Sequence, residues 1–298
     1  MDLDTRELLR KTLRPVLAER SDRPLSERLD ELGWDDVVAD DAALAICTLF
    51  ETKGEVLGAG DALGPLLARR VADAAGMPEA ADATVVLDGF ALGPLAATVL
   101  VPGADGRVAV ASSSSFDAEA VEPVDEHTQV CRVRGSLTDP TWLPASVWDE
   151  AVAAGRWALG AELTGIAHQV VVDAVAYTAD RRQYGRPIGS FQALQHRLAN
   201  AHVSTVGARG VVEEAARTGS AWTALVAKAL AGAAAEEACT HAQQCYGAIG
   251  FTWEHSFHRY LRRSYILDRL LGGWRELEVE IGRRLLADRA VPKLGGIA

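Results

Sequence analysis

Aromatic residues are scarce in this 298-residue chain, at 6%, and methionine occurs only twice. The apolar content is nevertheless 49%, enough for a sizeable core, and alanine, leucine and valine carry most of it. A basic excess is lacking too: the formal net charge is -11, which disfavours nonspecific binding to nucleic acid through phosphate neutralisation. A local basic patch on such a chain stays compatible with a small anionic cofactor. The four cysteines, Cys47, Cys131, Cys239 and Cys245, show neither a Cys-x-x-Cys pair nor metal-ligand spacing. They read as buried free thiols in a reducing compartment. His168, His196, His202, His241, His255 and His258 form no His-Glu-x-x-His pattern, and His255 with His258 lacks an acidic third ligand. There is no Gly-x-Ser-x-Gly elbow. The start, Met1-Asp2-Leu3-Asp4, carries no basic-then-apolar leader, and no apolar run reaches membrane-spanning length. The expectation is a cytoplasmic protein without a membrane partner.

The chain divides into three regions by its periodicity. Residues 1–76 read as helical, with amphipathic patterns over 3–20, 25–32, 40–53 and 66–75. Residues 77–143 change to short β-type runs at 84–87, 97–101, 108–110 and 130–133, with Ser112–Ser115 as a loop. Residues 144–298 return to helix: 146–178, 191–218, 221–246 with Ser220 as cap, and 255–290 with a break at Gly272-Gly273. Four long helices with short connections make a bundle. The alanine-rich stretch Ala229–Ala235 allows close helix approach or an interface with another subunit.

Asp180-Arg181-Arg182-Gln183-Tyr184-Gly185-Arg186-Pro187-Ile188-Gly189-Ser190-Phe191-Gln192 cannot be one continuous helix, because Gly185, Pro187 and Gly189 interrupt it within five residues. Ser190 is the expected cap of the next helix. The basic turn beside an aromatic ring suits an anion seat, since guanidinium forks match phosphate oxygens. On composition alone an ordinary solvated connection fits equally well. A second turn, Gln244-Cys245-Tyr246-Gly247-Ala248-Ile249-Gly250-Phe251-Thr252-Trp253-Glu254-His255, reads by itself as a helix end and a chain reversal.

Together the two turns resemble signatures of the acyl-CoA dehydrogenase superfamily, in the family's order and about two helices apart. The first is similar to its central turn, where Phe-Gln opens the next helix; the second is similar to its Gln-x-x-Gly-Gly-x-Gly-Phe-Thr turn, with Ala248 at the second glycine. The resemblance implies a mainly α, acyl-CoA dehydrogenase-like fold: a C-terminal four-helix bundle, a shortened N-terminal helical region and a reduced β middle region. It implies FAD as cofactor, contacted by Arg181, Gln183, Tyr184 and Gln192, and by Gln244, Gly247, Ala248 and Gly250, the second group usually from a neighbouring subunit.

The family's base is a carboxylate that removes the substrate α-proton while the β-hydride passes to the flavin. In most members it stands in a Tyr-Glu-Gly-Thr segment, whose place here is taken by Leu270-Leu271-Gly272-Gly273. In others it precedes an arginine on the helix before the central turn; that arginine matches Arg156, and Gly155 precedes it. The segment that covers the flavin ring in the family's middle domain is also missing. Glu162, two turns beyond Arg156, is placed either to face a cavity or, as helical acids more often do, to stand in solvent; Glu254 reads as an acid favouring the start of the following helix, and Asp268 and Glu276 as ion-paired. No residue of this chain is assigned as catalytic.

The resemblance extends to the smaller subunits of actinobacterial steroid-degrading heteromers. It implies a heterotetramer with a larger homologue, an acyl-CoA substrate such as a steroid side-chain thioester, and an electron-transfer flavoprotein as acceptor. Two other readings stay open: a self-sufficient homomeric enzyme with a relocated base, and a flavin-free structural or regulatory relative.

Overall fold

The computed structural model describes residues 3–21, 23–122, 124–125 and 128–292. Four helices come first: α1 (Leu3–Ala18), α2 (Leu25–Asp30), α3 (Trp34–Val56) and α4 (Leu63–Ala75). α3 starts earlier than its apolar period suggests. It is kinked at Asp41 (φ -154°), whose carboxylate accepts the Leu44 N–H at 3.1 Å. Asp41 thus caps the apolar half of the helix from within, as an N-cap aspartate does.

A seven-stranded sheet follows, from β1 (Thr84–Leu87), β2 (Phe90–Ala91), β3 (Thr98–Pro102), β4 (Val108–Ser112), β5 (Phe116–Val121), β6 (Val130–Gly135) and β7 (Thr141–Leu143), in the order β5-β6-β2-β1-β3-β4-β7. All neighbours are antiparallel except β1 and β3. β2, β5 and β7 are additions to the sequence reading. β5 is largely exposed and reads Phe-Asp-Ala-Glu-Ala-Val, so no buried face marks it in the sequence. The serine loop is a 3₁₀ turn whose first member, Ser112, accepts the Ser114 N–H.

The remainder is helical: α5 (Ala145–Asp180), α6 (Gln192–Thr218), α7 (Ala221–Tyr246), α8 (Phe257–Arg269) and α9 (Trp274–Asp288). The 36-residue α5 is buried on most sides, with α3, α4, α6, α7 and α8 against it. Its apolar residues accordingly show no single face. Ser220 caps α7 by accepting the Thr223 N–H at 3.2 Å, as expected. Ser190 does not cap α6. Residues 188–190 form a 3₁₀ turn, Phe191 takes the N-cap position, and the Ser190 hydroxyl donates to the Pro187 carbonyl at 2.7 Å. A local backbone acceptor has outcompeted the capping role. Ala229, Ala231, Ala234 and Ala235 are buried inside the chain, so this stretch serves close helix packing. Among the described residues, no helix is long and apolar enough to cross a membrane.

Two close approaches fix the frame. α3 and α5 cross through Gly54 and Gly165. A Cβ on Gly54 would lie 2.1 Å from the Glu162 carbonyl oxygen, and one on Gly165 would lie 2.1 Å from that of Glu51. The second is the break between α8 and α9, where Leu271 (φ 57°) and Gly272 (φ 103°) are left-handed. Buried Lys228 holds this break, donating to the Asp268 carbonyl at 2.9 Å and the Gly272 carbonyl at 3.4 Å, with the Asp268 carboxylate 3.7 Å away. Burial pushes the Lys228 ammonium down to about 8, against the opposing pull of Asp268.

Gly165→Ala is expected to destabilise the fold by about 1–3 kcal/mol through backbone overpacking, read as a lower urea midpoint at unchanged slope. Lys228 binds fewer protons folded than unfolded between about pH 8 and its ordinary value of 10.5. Its contribution to stability is therefore complete above that window and lost as pH falls through about 8. Relative to Lys228→Met, the native chain should gain up to about 2 kcal/mol between pH 7.5 and 9.5 in paired denaturation curves; a constant difference would contradict the assignment.

Candidate functional site

The antiparallel path of the bundle brings the C-terminal ends of α5 and α7 together, and with them the two singled-out turns. Tyr177, near the end of α5, packs edge-on against Tyr246, the last residue of α7, with ring centroids 5.1 Å apart. Beyond α5 the basic turn forms a two-stranded hairpin, β8 (Arg182–Gln183) with β9 (Arg186–Pro187). Its central pair, Tyr184 (φ 52°) and Gly185 (φ 77°), is left-handed at both positions, the geometry of a tight two-residue turn. A tyrosine there is conformationally costly, and its ring is 91% exposed. Arg181, Arg182, Gln183 and Arg186 are also exposed, and Arg186 lies over the Phe191 ring at 4.1 Å. Gln192 is exposed at the first position of α6.

At the end of α7, Gln244 is exposed and Gly247 (φ 62°) ends the helix. Ala248 and Phe251 project outward from a 3₁₀ turn over residues 247–251, whereas Gly250 is buried against Tyr246. The methyl group of Ala248 therefore meets no obstacle in this chain. Glu254 is exposed, and the first N–H of α8, that of Phe257, is taken by His255 Nδ1 at 3.1 Å rather than by an acid. Burial pushes the His255 imidazole pKa down, favouring this neutral acceptor form.

The two positions that the resemblance gives to the family's base, 155 and 271, meet each other. A Cβ on Gly155 would stand 2.5 Å from Leu271 Cδ1 and 2.9 Å from Leu67 Cδ2. Leu271 thus fills the volume beside Gly155 with hydrocarbon. Arg156 donates through Nε to the Leu271 carbonyl at 3.1 Å and lies 3.7 Å from Glu280. Burial lowers its pKa while Glu280 opposes. Asp268 pairs with Lys228 and accepts the Trp274 N–H at 3.1 Å. Glu276 pairs with Arg269 at 2.9 Å and accepts the Gly273 N–H at 3.2 Å. Both acids are engaged in ion pairs, as expected, although the partner of Asp268 is a lysine.

Glu162 overturns its reading as a solvated acid. It is 1% exposed, and one carboxylate oxygen accepts from Lys53 Nζ at 2.8 Å and Arg263 Nη1 at 3.0 Å. Arg263 also donates to Asp125 through Nε and to the Gly58 carbonyl at 3.2 Å. Burial pushes the Lys53 pKa down and Glu162 pulls it back. Asp61 completes this polar layer: burial pushes its carboxyl up to about 6, although it accepts the N–H groups of Leu63 and Gly64. The sequence reading missed Lys53, Asp61 and Arg263. The available signal was Glu51, Lys53 and Glu55 standing inside an otherwise uninterrupted buried helix segment.

Comparison with known proteins agrees with this geometry. Residues 146–287 match the family model for the acyl-CoA dehydrogenase C-terminal domain. Acyl-CoA dehydrogenase IpdE2 of Mycobacterium tuberculosis is 32% identical over 257 residues, 83% of this chain and 78% of that protein. Among solved structures, a variant of the Tcur3481-Tcur3483 steroid ACAD superposes with a TM-score of 0.78 at 20% identity, covering 97% of this chain and 99% of that one. The ChsE4-ChsE5 complex from Mycobacterium tuberculosis gives 0.77 at 19% identity, covering 98% and 99%. With the bundle, both signature turns and a relative matched along most of its length, the chain belongs to the acyl-CoA dehydrogenase family.

Proposed function

We propose that this chain is the flavin-contacting subunit of a heteromeric acyl-CoA dehydrogenase whose partner, a larger homologue, supplies the catalytic carboxylate. The observation that carries this reading is the packing of Leu271 against Gly155, which leaves hydrocarbon at both positions where the family places its base. The heteromeric ChsE4-ChsE5 and Tcur3481-Tcur3483 relatives in fold support a two-chain assembly, and the latter's steroid substrate class supports a bulky acyl-CoA.

The donor set at the shared end of α5 and α7 fits FAD. Arg181 is an exposed guanidinium suited to a pyrophosphate, and Tyr184 offers a free flat face. Gln183, Gln192 and Gln244 present exposed amides, and Ala248 and Ile249 are exposed in the turn that follows α7. Bound FAD supplies the hydride acceptor for α,β-dehydrogenation, with an electron-transfer flavoprotein as the onward acceptor. This chain's own residues bind and orient. The α-proton goes to the partner's carboxylate, because hydrocarbon lines the corresponding place here.

Flavin absorbance separates the readings. The chain purified alone should be colourless, and the complex co-expressed with a longer homologue should be yellow and bleach with acyl-CoA. A yellow homo-oligomer that bleaches alone would overturn the split site; two colourless preparations would leave a flavin-free relative. Within the yellow complex, Arg181→Ala should weaken flavin retention about tenfold or more with little change in melting temperature, since the side chain is exposed.

A further inference from the structure

The turn that follows α7 comes back onto the bundle at the ring of His255. This imidazole is half-buried. Its centroid lies 4.1 Å from that of Tyr246 in α7 and, edge-on, 6.2 Å from that of Tyr177 in α5. Its Nδ1 accepts the Phe257 N–H at 3.1 Å. An N–H group only donates, so this Nδ1 carries no proton. Ser256 stands at the cap position of α8, yet its side chain makes no capping hydrogen bond. His255 therefore satisfies the first N–H of the helix from one residue further out.

The neighbouring histidine is bonded in the opposite sense. His258 Nδ1 lies 2.8 Å from the His255 carbonyl, which only accepts, so this nitrogen carries a proton. That bond survives when the other ring nitrogen of His258 is protonated. His258 also stands edge-on to Trp253 at 4.8 Å, and Arg262 lies over the same indole at 4.1 Å. Protonating His255 at Nδ1 would instead set two N–H groups against each other and place a cation at the positive end of α8. Burial already pushes the His255 pKa below its ordinary value of 6.5. Asp173 of α5 opposes that shift, and His258 of α8 adds to it. The Tyr246 hydroxyl, its pKa raised by burial, stays neutral.

We propose that neutral His255 is the positioning residue of this turn: it seats residues 247–256 on the ends of α5 and α7 and starts α8, and its protonation releases them. His255 binds fewer protons seated than released. The seating is therefore complete above about pH 6.5 and is lost as pH falls through the lowered pKa. Gly247, Ala248 and Gly250 belong to this turn, so on the function proposed above cofactor retention becomes acid-labile. That consequence rests on the flavin reading; the seating itself does not.

Hydrogen exchange of the full chain tests it, read by mass spectrometry on peptides covering 247–262 between about pH 5 and pH 7.5 and corrected for intrinsic exchange. The native chain should lose protection several-fold toward the acid end. His255→Asn offers an acceptor that reaches the N–H two residues on and does not titrate, so its protection should stay level. His255→Phe keeps an aromatic ring without the acceptor and should be poorly protected at every pH. Burial, with Arg209 beside it, also holds the His168 pKa down, so the pH effect is taken as the difference between the native chain and His255→Asn. Native protection that is constant with pH, the same acid loss in His255→Asn, or full protection in His255→Phe would each overturn the proposal. In the complex co-expressed with a longer homologue, flavin release should rise at the acid end for the native chain and not for His255→Asn. The expected exchange pattern in a chain whose complexes are all colourless would support the role of His255 and overturn the flavin reading alone.

Discussion

The carboxylate of Glu162 is the point on which the rest of the molecule is seated. Lys53 comes to it from α3 and Arg263 from α8, and Arg263 carries the link onward to Asp125 beyond the strand β5. Positions 53, 125, 162 and 263 belong to the N-terminal helices, the middle region, the central helix and the end of the bundle. Removing one partner from such a buried set leaves another charge stranded, a loss of about 3–5 kcal/mol. Hydrocarbon of equal volume could stabilise the same space, so the ions are better understood as fixing one seating of the three regions than as the source of stability. The glycine crossing of α3 and α5 fits this view. Only with Gly54 and Gly165 can the two backbones come close enough for Lys53 to reach Glu162.

A second ionic layer fastens α1 across that crossing. Glu51 accepts from Arg6 and Arg10 at 2.9 Å and pairs with Arg209 of α6, and Glu55 accepts from Arg10 and Arg14. The first helix is thus held largely by charge and by Leu13 and Leu17, whereas α5 is held by hydrocarbon on most sides. The difference explains how a chain with net charge -11 keeps so many arginines: they neutralise acids that the fold has drawn inside.

The sequence made most helices legible because their apolar periods are long and their ends are marked by Gly, Pro and Ser220. The two turns were legible as motifs. β5 was not, since an exposed strand with alternating acids has no buried face to announce it. Ser190 misled because a serine before a helix has two backbone groups to choose from, and local chain geometry decides. Glu162 misled for a different reason. A charge in a helix reads as solvent-facing unless its partners are known, and those partners lie 109 and 101 positions away. Pairing at that separation is a property of the tertiary structure alone.

On the proposed split of the site, a missing base is likewise more than the loss of one residue. The loop that would carry it is still held: Lys228 and Arg156 bind its carbonyls, Glu276 binds the Gly273 N–H, and Leu271 keeps a left-handed backbone. The wall it faces is hydrocarbon. Leu271, Leu67 and Leu63 all crowd the place where a side chain on residue 155 would stand. A glutamate put back at position 271 would enter this hydrocarbon layer, where desolvation penalises the charged form that proton abstraction requires. Restoring the carboxylate would therefore mean rebuilding the face of α4 as well. The loop's polar supports and its apolar surroundings are the two features on which the proposed division of acid–base chemistry between two chains rests.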